Sequence, residues 1–241
     1  MSSGPGAAWQ QEHVVEAYID ERRTLLPLFD VQENLVRRLL TRHGRRIDRF
    51  LDLGAGDGGF AELVTQLFPH ATGVLVDFSD PMLAAAEQRR VDAWQIVRGD
   101  LSDPAWRDGL PDGERYDAAV SRFAIHHLPD SRKRELYAEA FELLTPGGVF
   151  LNWEHVETGG LAAGLFDEYW RERLLEAAGE RGDPRAPEEV LASYDDAADD
   201  DILCEAETQC RWLREIGFDG VDTYFTLPGL AIFGGTRPWN Q

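Results

Sequence analysis

Residues 51–60 read Leu-Asp-Leu-Gly-Ala-Gly-Asp-Gly-Gly-Phe, an apolar run that passes directly into a turn rich in glycine. Gly54, Gly56 and Gly59 have the spacing G-x-G-x-x-G, in which the missing side chains let a ligand approach the backbone at the start of a helix. That spacing taken alone is a weak signal, because a tight turn between a strand and a helix can carry it without any ligand. The stretch predicts a buried strand, a turn and a helix in that order.

Short apolar runs alternate with helical stripes on both sides of this stretch. The apolar runs predict strands near residues 50–53, 72–77, 94–98, 116–122 and 148–154. Between them, apolar side chains recur at helical spacing, with Asp80 predicted to cap one helix and Ser131 to begin another. This alternation is typical of stacked βαβ units and predicts an α/β fold around a mostly parallel sheet.

The segments outside this core are expected to complete a single domain. The predicted parts are a frayed start at 1–10, N-terminal lid helices at 12–44, a cofactor-binding core at 45–155, a helical insertion at 156–216 and a hairpin at 217–236. In the hairpin, two apolar runs flank the dipeptide Pro228-Gly229, which predicts two antiparallel strands joined by a tight turn.

Composition and charge limit the classes of partner. The chain has 241 residues, 43% of them hydrophobic and 28% charged, which is typical of a globular protein large enough to hold a ligand cleft. Its 44 acidic and 24 basic residues give a formal net charge of −20, which disfavours nucleic acid and anionic membranes and favours a cationic ligand. The N-terminus lacks the order of a secretory signal, so we expect a cytoplasmic protein in which Cys204 and Cys210 are reduced.

The charges around the glycine turn indicate which nucleotide it binds. Asp77 follows the second predicted strand, where a carboxylate can accept hydrogen bonds from a ribose diol. Asp52 and Asp57 lie within the turn and would repel a pyrophosphate, but they suit a ligand with an ammonium group. S-adenosylmethionine carries adenine, a ribose diol, an ammonium and a sulfonium, and is therefore favoured over NAD. An NAD(P)-dependent oxidoreductase and a non-catalytic module that binds an adenosyl ligand remain the alternatives.

Five segments together resemble the motifs of class I S-adenosylmethionine-dependent methyltransferases, in the small-molecule branch that includes quinone and phosphoethanolamine methyltransferases. They are LDLGAGDGG at 51–59, VDFSDPML at 76–83, GDL at 99–101, YDAAVSRFAIHHL at 116–128 and LLTPGGVFLNWE at 143–154. The resemblance covers roughly residues 14–236. It implies a Rossmann-like sheet of seven strands with helices on both faces and a C-terminal antiparallel hairpin.

The resemblance also implies which residues hold the cofactor. Asp52, Gly54 and Gly56 are expected around its methionine moiety, and Asp77 at the ribose hydroxyls. The nucleoside is expected to contact the side chains of Phe78 and Met82, while Asp100 accepts from the adenine amine and the Leu101 amide donates to the ring. Ser121 ends the fourth strand, at the mouth of the cleft where parallel sheets place their ligands.

The acceptor side is predicted from residues just past the fourth and fifth strands. His127 is predicted to be the general base, and the resemblance to phosphoethanolamine methyltransferases pairs it with Tyr18 of the lid helix. His126, Trp153 and Glu154 are predicted to bind the acceptor, with His155 on the same rim. A structural histidine that caps the next helix is the alternative for one of the pair.

The insertion is expected to roof the acceptor site, and no metal site is predicted. Its aromatic residues include Tyr169, Trp170 and Tyr194, and it carries a run of acids: Asp195, Asp196, Asp199, Asp200 and Asp201. A solvated loop explains such an acidic run more simply than ligand binding. Aromatic residues there could line a pocket or a dimer interface, so both a monomer and a homodimer are open. The expected partner is a small-molecule acceptor methylated at oxygen, nitrogen or carbon.

Overall fold

The structure, a computed structural model, describes residues 6–89, 91–198 and 201–239. Its strands are β1 Arg49–Leu53, β2 Thr72–Asp77, β3 Trp94–Arg98, β4 Tyr116–Arg122, β5 Leu144–His155, β6 Asp219–Leu227 and β7 Leu230–Thr236. Its α-helices are α1 Glu12–Leu25, α2 Phe29–Arg42, α3 Gly59–Leu67, α4 Asp80–Gln88, α5 Asp130–Leu143, α6 Leu165–Glu180, α7 Pro187–Ala198 and α8 Ala206–Ile216.

The seven strands form one sheet in the order β3-β2-β1-β4-β5-β7-β6. β1 to β5 are parallel, and β7 runs antiparallel between β5 and β6. This confirms the predicted Rossmann-like α/β fold with its C-terminal hairpin. Because the strand order reverses between β1 and β4, their carboxyl ends open the crevice in which such sheets bind ligands.

Both faces of the sheet are covered. Alternate residues of β1 show this directly: Phe50 packs with Val36 of α2 and Val64 of α3, whereas Leu51 packs in the opposite layer with Leu213 of α8. All but Leu213 come from positions that the apolar pattern of the sequence identified. Burial on both faces explains why the central strands read as continuous apolar runs.

Local geometry differs from the sequence prediction at two helix starts. The helical lid predicted at 12–44 is divided at Leu28, which adopts a left-handed conformation with φ of 55° and precedes α2. The cap of α4 is Ser79 and not Asp80, because Ser79 Oγ accepts a hydrogen bond from the Met82 N–H at 3.2 Å. Asp80 is instead the first residue of α4 and pairs with Arg98 at 2.7 Å.

β5 is longer than predicted and begins at Leu144. Gly147 has a φ of 74°, and the two chain segments at 147–148 and 237 exchange backbone hydrogen bonds of 2.7 and 2.8 Å. The sequence Pro146-Gly147-Gly148 therefore forms an irregular start of the strand, ahead of the predicted start at residue 148.

The lid and the insertion pack against each other above the carboxyl edge of the sheet. Leu25 at the end of α1 joins Leu174, Ala177 and Ala178 of α6 and Val190 of α7 in a small apolar cluster. A short 3-10 helix, Ala7–Gln10, closes onto the loop after β2, where Gln10 Nε2 donates to the Phe78 carbonyl at 3.1 Å.

Several residues named in the sequence predictions lie outside the part of the chain that the structure describes. The side chains of Tyr194, Asp195 and Asp196 and the whole of Asp199 and Asp200 lie outside the described residues, as does the start of the predicted frayed segment. Among the described helices, none has the length and hydrophobicity required to cross a membrane.

Candidate functional site

A first cavity opens at the carboxyl edge of β1, β2 and β4. Eight of the nine residues predicted to bind the cofactor line it: Asp52, Gly54, Gly56, Asp77, Phe78, Met82, Asp100 and Leu101. The ninth, Ser121, is fully buried, and its hydroxyl donates to the Leu53 carbonyl at 2.7 Å. Ser121 thus joins the ends of β4 and β1 beneath the cavity and does not line it.

The glycine turn is shaped for close approach. Gly54 has a φ of 70°, and a Cβ at that position would lie 2.2 Å from the Cβ of Ala124. Gly56 also has positive φ, and its N–H donates to Asp77 Oδ2 at 2.8 Å. The third left-handed position is Gly58, with φ of 77°, and not the Gly59 of the sequence motif. The turn therefore presents bare backbone to the cavity and is coupled to the carboxylate of Asp77.

Asp77 is 7% exposed and faces the first cavity. Its two oxygens accept backbone hydrogen bonds from Gly56 and Ser79, at 2.8 and 2.9 Å, and each keeps capacity for another donor. Burial raises the pKa of Asp77, and these hydrogen bonds oppose the shift. A carboxylate fixed in this way can receive the two hydroxyls of a ribose.

Asp52 presents a carboxylate that needs a ligand. It is 1% exposed, and within the described part of the chain neither oxygen has a geometrically sound hydrogen bond. Burial raises the pKa of Asp52 to about 7, although the Arg122 guanidinium acts to lower it. A buried carboxylate left without a donor is costly, so this one fits the ammonium group of S-adenosylmethionine.

Arg122 is a residue of the first cavity that sequence reasoning missed. Its guanidinium lies over the rings of Phe60 and Trp153, 5.9 and 5.6 Å from their centroids. A cation held there suits the carboxylate of an amino-acid moiety. Its place directly after Ser121, at the end of a strand, was the available signal.

Asp100 and Leu101 line the far part of the first cavity. One oxygen of Asp100 accepts from the Ser102 N–H at 2.8 Å, so the carboxylate both caps its loop and keeps a free oxygen. Arg132 Nε donates to the Leu101 carbonyl at 2.7 Å and so fixes that peptide. The pair thus offers an acceptor and a backbone donor, as the polar edge of adenine requires.

A second cavity adjoins the first. The residues shared by both cavities are Trp9, Tyr18, Phe123 and His127, and the rest of the second lining is Leu26, His126, His155, Phe166, Trp170 and Asp201. The ring of Trp9 packs against Tyr18 and His127, with centroid distances of 5.1 and 6.0 Å. The structure therefore brings the predicted pair Tyr18 and His127 to the junction, where their direct pairing stays a prediction.

One wall of the second cavity is a histidine–carboxylate cluster, which consists of His126, His127, Glu154, His155 and Asp201. Asp201 Oδ1 lies 3.3 Å from His126 Nε2 and 3.2 Å from His127 Nδ1, and Asp201 Oδ2 lies 3.3 Å from His155 Nδ1. Glu154 Oε1 lies 2.6 Å from His126 Nδ1. Three imidazoles thus converge on one carboxylate, and a second carboxylate supports the central imidazole.

The histidines and carboxylates of this cluster shift one another's pKa values. Burial acts to lower the pKa of His126, but Glu154 and Asp201 outweigh it and raise that pKa to about 10. Burial and the neighbouring His126 lower the pKa of His127. Burial acts to raise the pKa of Glu154 and of Asp201, and contact with the imidazoles holds both below their usual range.

The predicted acceptor residues of β5 do not reach the cavity directly. Trp153 is fully buried against Phe29, and its indole N–H donates to Gln32 Oε1 at 2.7 Å. Glu154, also predicted to bind the acceptor, is fully buried behind His126 and pairs with that imidazole instead. Neither lines the second cavity, whereas His155 does.

Comparison with known proteins agrees with this geometry. Residues 50–148 match the family model of the methyltransferase domain. The chain is 32% identical over 127 residues to demethylmenaquinone methyltransferase of Thermus thermophilus, covering 53% of this chain and 56% of that one. It is 28% identical over 199 residues to trans-aconitate 2-methyltransferase of Escherichia coli O157:H7, covering 81% of this chain and 70% of that one.

A match of 37% identity to trans-aconitate 2-methyltransferase of Variovorax paradoxus spans 42% of this chain and only 36% of that relative. This chain therefore spans 36% of the length of the Variovorax relative and 56% of the length of the Thermus relative.

Solved structures share the fold at low sequence identity. An O-methyltransferase family protein from Burkholderia thailandensis superposes with a TM-score of 0.70 at 15% identity, over 100% of this chain and 65% of that one. Human N-acetylserotonin methyltransferase in complex with S-adenosylmethionine gives 0.63 at 15% identity, over 97% of this chain and 58% of that one. Residues 50–148 of this chain thus match a methyltransferase domain, and the chain as a whole shares its fold with solved methyltransferases.

Proposed function

We propose that this protein transfers a methyl group from S-adenosylmethionine, held in the first cavity, to a small molecule held in the second. The observation that supports this most is the junction of the two cavities at Trp9, Tyr18, Phe123 and His127. Methyl transfer is an in-line displacement, so donor and acceptor have to meet end to end in a site that excludes water. Two adjoining cavities with aromatic walls provide that arrangement.

The first cavity positions the cofactor through charges of opposite sign. Asp52 receives the ammonium, because it is buried and neither of its oxygens has a sound hydrogen bond among the described residues. Asp77 receives the ribose hydroxyls, and Arg122, a cation that lines the same cavity, receives the carboxylate. When bound, S-adenosylmethionine supplies a methyl carbon activated by the positive charge on its sulfur. The protein therefore mainly has to orient the acceptor and receive its proton.

The second cavity favours a planar, largely apolar acceptor. Five aromatic side chains line it: Trp9, Tyr18, Phe123, Phe166 and Trp170. Flat rings pack well between such side chains. The relatives include enzymes named for demethylmenaquinone, which has a fused ring, and for trans-aconitate, which bears carboxylates. The aromatic lining and the net charge of −20 support the ring compound as the better model.

The reacting group of the acceptor is proposed to be a hydroxyl that faces the histidine–carboxylate cluster. The cluster brings imidazole nitrogens to the junction, and His127 lines both cavities. In the transfer, a bond forms between the acceptor oxygen and the methyl carbon while the bond from that carbon to sulfur breaks. The electron pair stays on sulfur, and the proton of the hydroxyl leaves on the side of the cluster.

The test is formation of S-adenosylhomocysteine by purified protein with S-adenosylmethionine and a panel of acceptors. Hydroxyquinones and phenols are expected to turn over, and trans-aconitate and simple amines to do so at least about tenfold more slowly. Phe166→Ala should raise KM for the ring acceptors, whereas Leu161→Ala, at a fully exposed position, should leave KM unchanged. Cofactor binding without turnover on any acceptor would instead support a non-catalytic module.

A further inference from the structure

We propose that His126, His127 and Asp201 bind a divalent transition-metal ion in the wall of the second cavity. The site itself does not depend on the proposed function, but the role of the ion toward an acceptor rests on it. Within the described residues, the ligand atoms of these three side chains all lie within 4.8 Å of one another. Each of the three lines the second cavity, so an ion held by them would face whatever molecule occupies it.

The distances between the three side chains are those that a metal spans. Asp201 Oδ1 lies 3.3 Å from His126 Nε2 and 3.2 Å from His127 Nδ1. Ligand atoms bonded to one tetrahedral zinc at about 2.0–2.1 Å are separated by about 3.3 Å. Charge-assisted hydrogen bonds are shorter, about 2.7–2.9 Å. His127 Nδ1 is buried, and its 3.2 Å approach to Asp201 Oδ1 does not have the geometry of a hydrogen bond, which leaves the nitrogen able to bind an ion.

Glu154 fixes the tautomer of His126 in which Nε2 can bind an ion. Its Oε1 lies 2.6 Å from His126 Nδ1, and its Oε2 accepts the backbone N–H groups of Ile125 and His126 at 3.0 and 3.1 Å. An Nδ1–H directed at a carboxylate leaves the lone pair on Nε2, which is the nitrogen that faces Asp201. This carboxylate–histidine arrangement behind a ligating nitrogen is the usual support of metal-binding imidazoles.

Asp201 is fixed from its own side. The next residue, Ile202, donates its backbone N–H to the His126 carbonyl at 2.9 Å, and its own carbonyl accepts from Lys133 Nζ. Lys133 is the single lysine of the chain and is fully buried, with a second contact to Asp130 at 2.9 Å. These hydrogen bonds hold Asp201 beside the two histidines, as a solvated loop would not. The three ligand groups are therefore preorganised.

The donor set indicates the kind of ion. Two imidazoles and one carboxylate suit zinc, cobalt, nickel or iron, whereas magnesium and calcium prefer sites made of oxygen alone. Three protein ligands leave a coordination position open, as in catalytic zinc sites. His155 Nδ1 lies 3.3 Å from the other oxygen of Asp201 and orients that carboxylate. Because all three ligand residues line the second cavity, an acceptor held there could reach that position.

An ion at this place would make an acceptor hydroxyl a better nucleophile. Bound at the open position, the hydroxyl oxygen loses its proton more easily, and the proton passes to bulk solvent as the acceptor enters, before water is excluded and the carbon–oxygen bond forms. His127 then holds the ion through Nδ1 and does not itself accept the proton. The bonds formed and broken in the transfer are those given above, with the electron pair left on sulfur.

The experiment uses the whole chain, freed of any affinity tag and treated with a chelator. Zn²⁺ is titrated by calorimetry, and Co²⁺ by its visible absorption, which reports tetrahedral nitrogen and oxygen ligands. One ion per chain is expected. Asp201→Asn and His127→Ala should each weaken binding by about a hundredfold or more, and Glu154→Gln by about 10–100-fold. The matched control His70→Ala removes an exposed histidine far along the chain and should bind as the wild type does.

Metal binding and cofactor binding are measured separately, so the metal site and the proposed function can each fail without the other. No saturable Zn²⁺ binding, or binding that Asp201→Asn and His127→Ala leave unchanged, would overturn the metal site. Binding of S-adenosylhomocysteine is measured on the same samples, with and without chelator, and reports on the first cavity alone. Circular dichroism of each variant establishes that it is folded, and the isosteric Asp201→Asn decides the question if His127→Ala is not.

Discussion

Binding of the cofactor is expected to release a proton from Asp52, and replacing this residue with Asn should abolish that linkage. Burial raises the pKa of Asp52 to about 7, so in the ligand-free protein below pH 7 the side chain is mostly a neutral acid. An ammonium group binds the ionised form. Binding therefore has to drive the proton off, and the apparent affinity falls by about tenfold for each pH unit below the pKa.

The size of the effect follows from that pKa. Between pH 7.5 and pH 5.5 the apparent dissociation constant of S-adenosylhomocysteine should rise by about 25-fold, which corresponds to about 2 kcal/mol. The pH dependence of folding stability is opposite to that of most acids in proteins, because the pKa of Asp52 is raised on folding. The native state therefore binds more protons than the unfolded state. Without ligand, the contribution of Asp52 to stability is thus greatest below pH 4 and declines as the pH rises through about 7.

The assay is calorimetric titration across this pH range in two buffers with different heats of ionisation, which together count the protons released. Asp52→Asn should bind more weakly at pH 7.5, by about 10-fold or more, and lose most of the pH dependence, because it keeps the shape but not the charge. Asp80→Asn is the matched control, since Asp80 is exposed and lies outside the first cavity. If the affinity of the wild type does not change with pH, or if Asp52→Asn keeps the full pH dependence, then Asp52 does not bind the ammonium group.

Three further substitutions test other parts of the site. Gly54→Ala should abolish cofactor binding and destabilise the protein by about 1–3 kcal/mol, seen as a lower Tm, because its Cβ would meet Ala124 at 2.2 Å on a left-handed backbone. Asp77→Ala should cost about 1.5–3 kcal/mol of cofactor affinity in the same titration, and unchanged affinity would exclude it from the ribose site. Trp153→Phe should lose about 1 kcal/mol of stability, through its hydrogen bond to Gln32, with KM for the acceptor unchanged; a large rise in KM would show direct contact instead.

The parallel core could be predicted because its signals are local. A strand buried on both faces is an apolar run, and a turn that admits only glycine displays its glycines, so the stretch at 51–60 located both the first strand and the cofactor turn. The break at Leu28 could not be predicted in this way. A leucine in the left-handed region is stabilised by its surroundings and leaves no mark in the sequence.

The acceptor side depends on contacts that only the fold creates. Asp201 stands in an acidic run that reads as solvated, yet Ile202 and Lys133 hold it against His126, far earlier in the chain. On β5 the alternation of side chains was decisive: His155 reaches the second cavity, whereas Glu154 turns into the layer behind His126. The sequence thus predicts which strand ends form the rim of the site. Which of two neighbouring side chains faces the cavity depends on how β5 lies in the sheet.

Binding of S-adenosylmethionine in the first cavity is tested most directly by parallel titration with S-adenosylmethionine, S-adenosylhomocysteine and NAD. Both adenosyl sulfur compounds are expected to bind with one site per chain. At a hundred times its dissociation constant, each should stabilise the native state by about 2.7 kcal/mol and raise Tm by about 5–10 °C, with no response to NAD. Binding of NAD alone, or of none of the three, would contradict it.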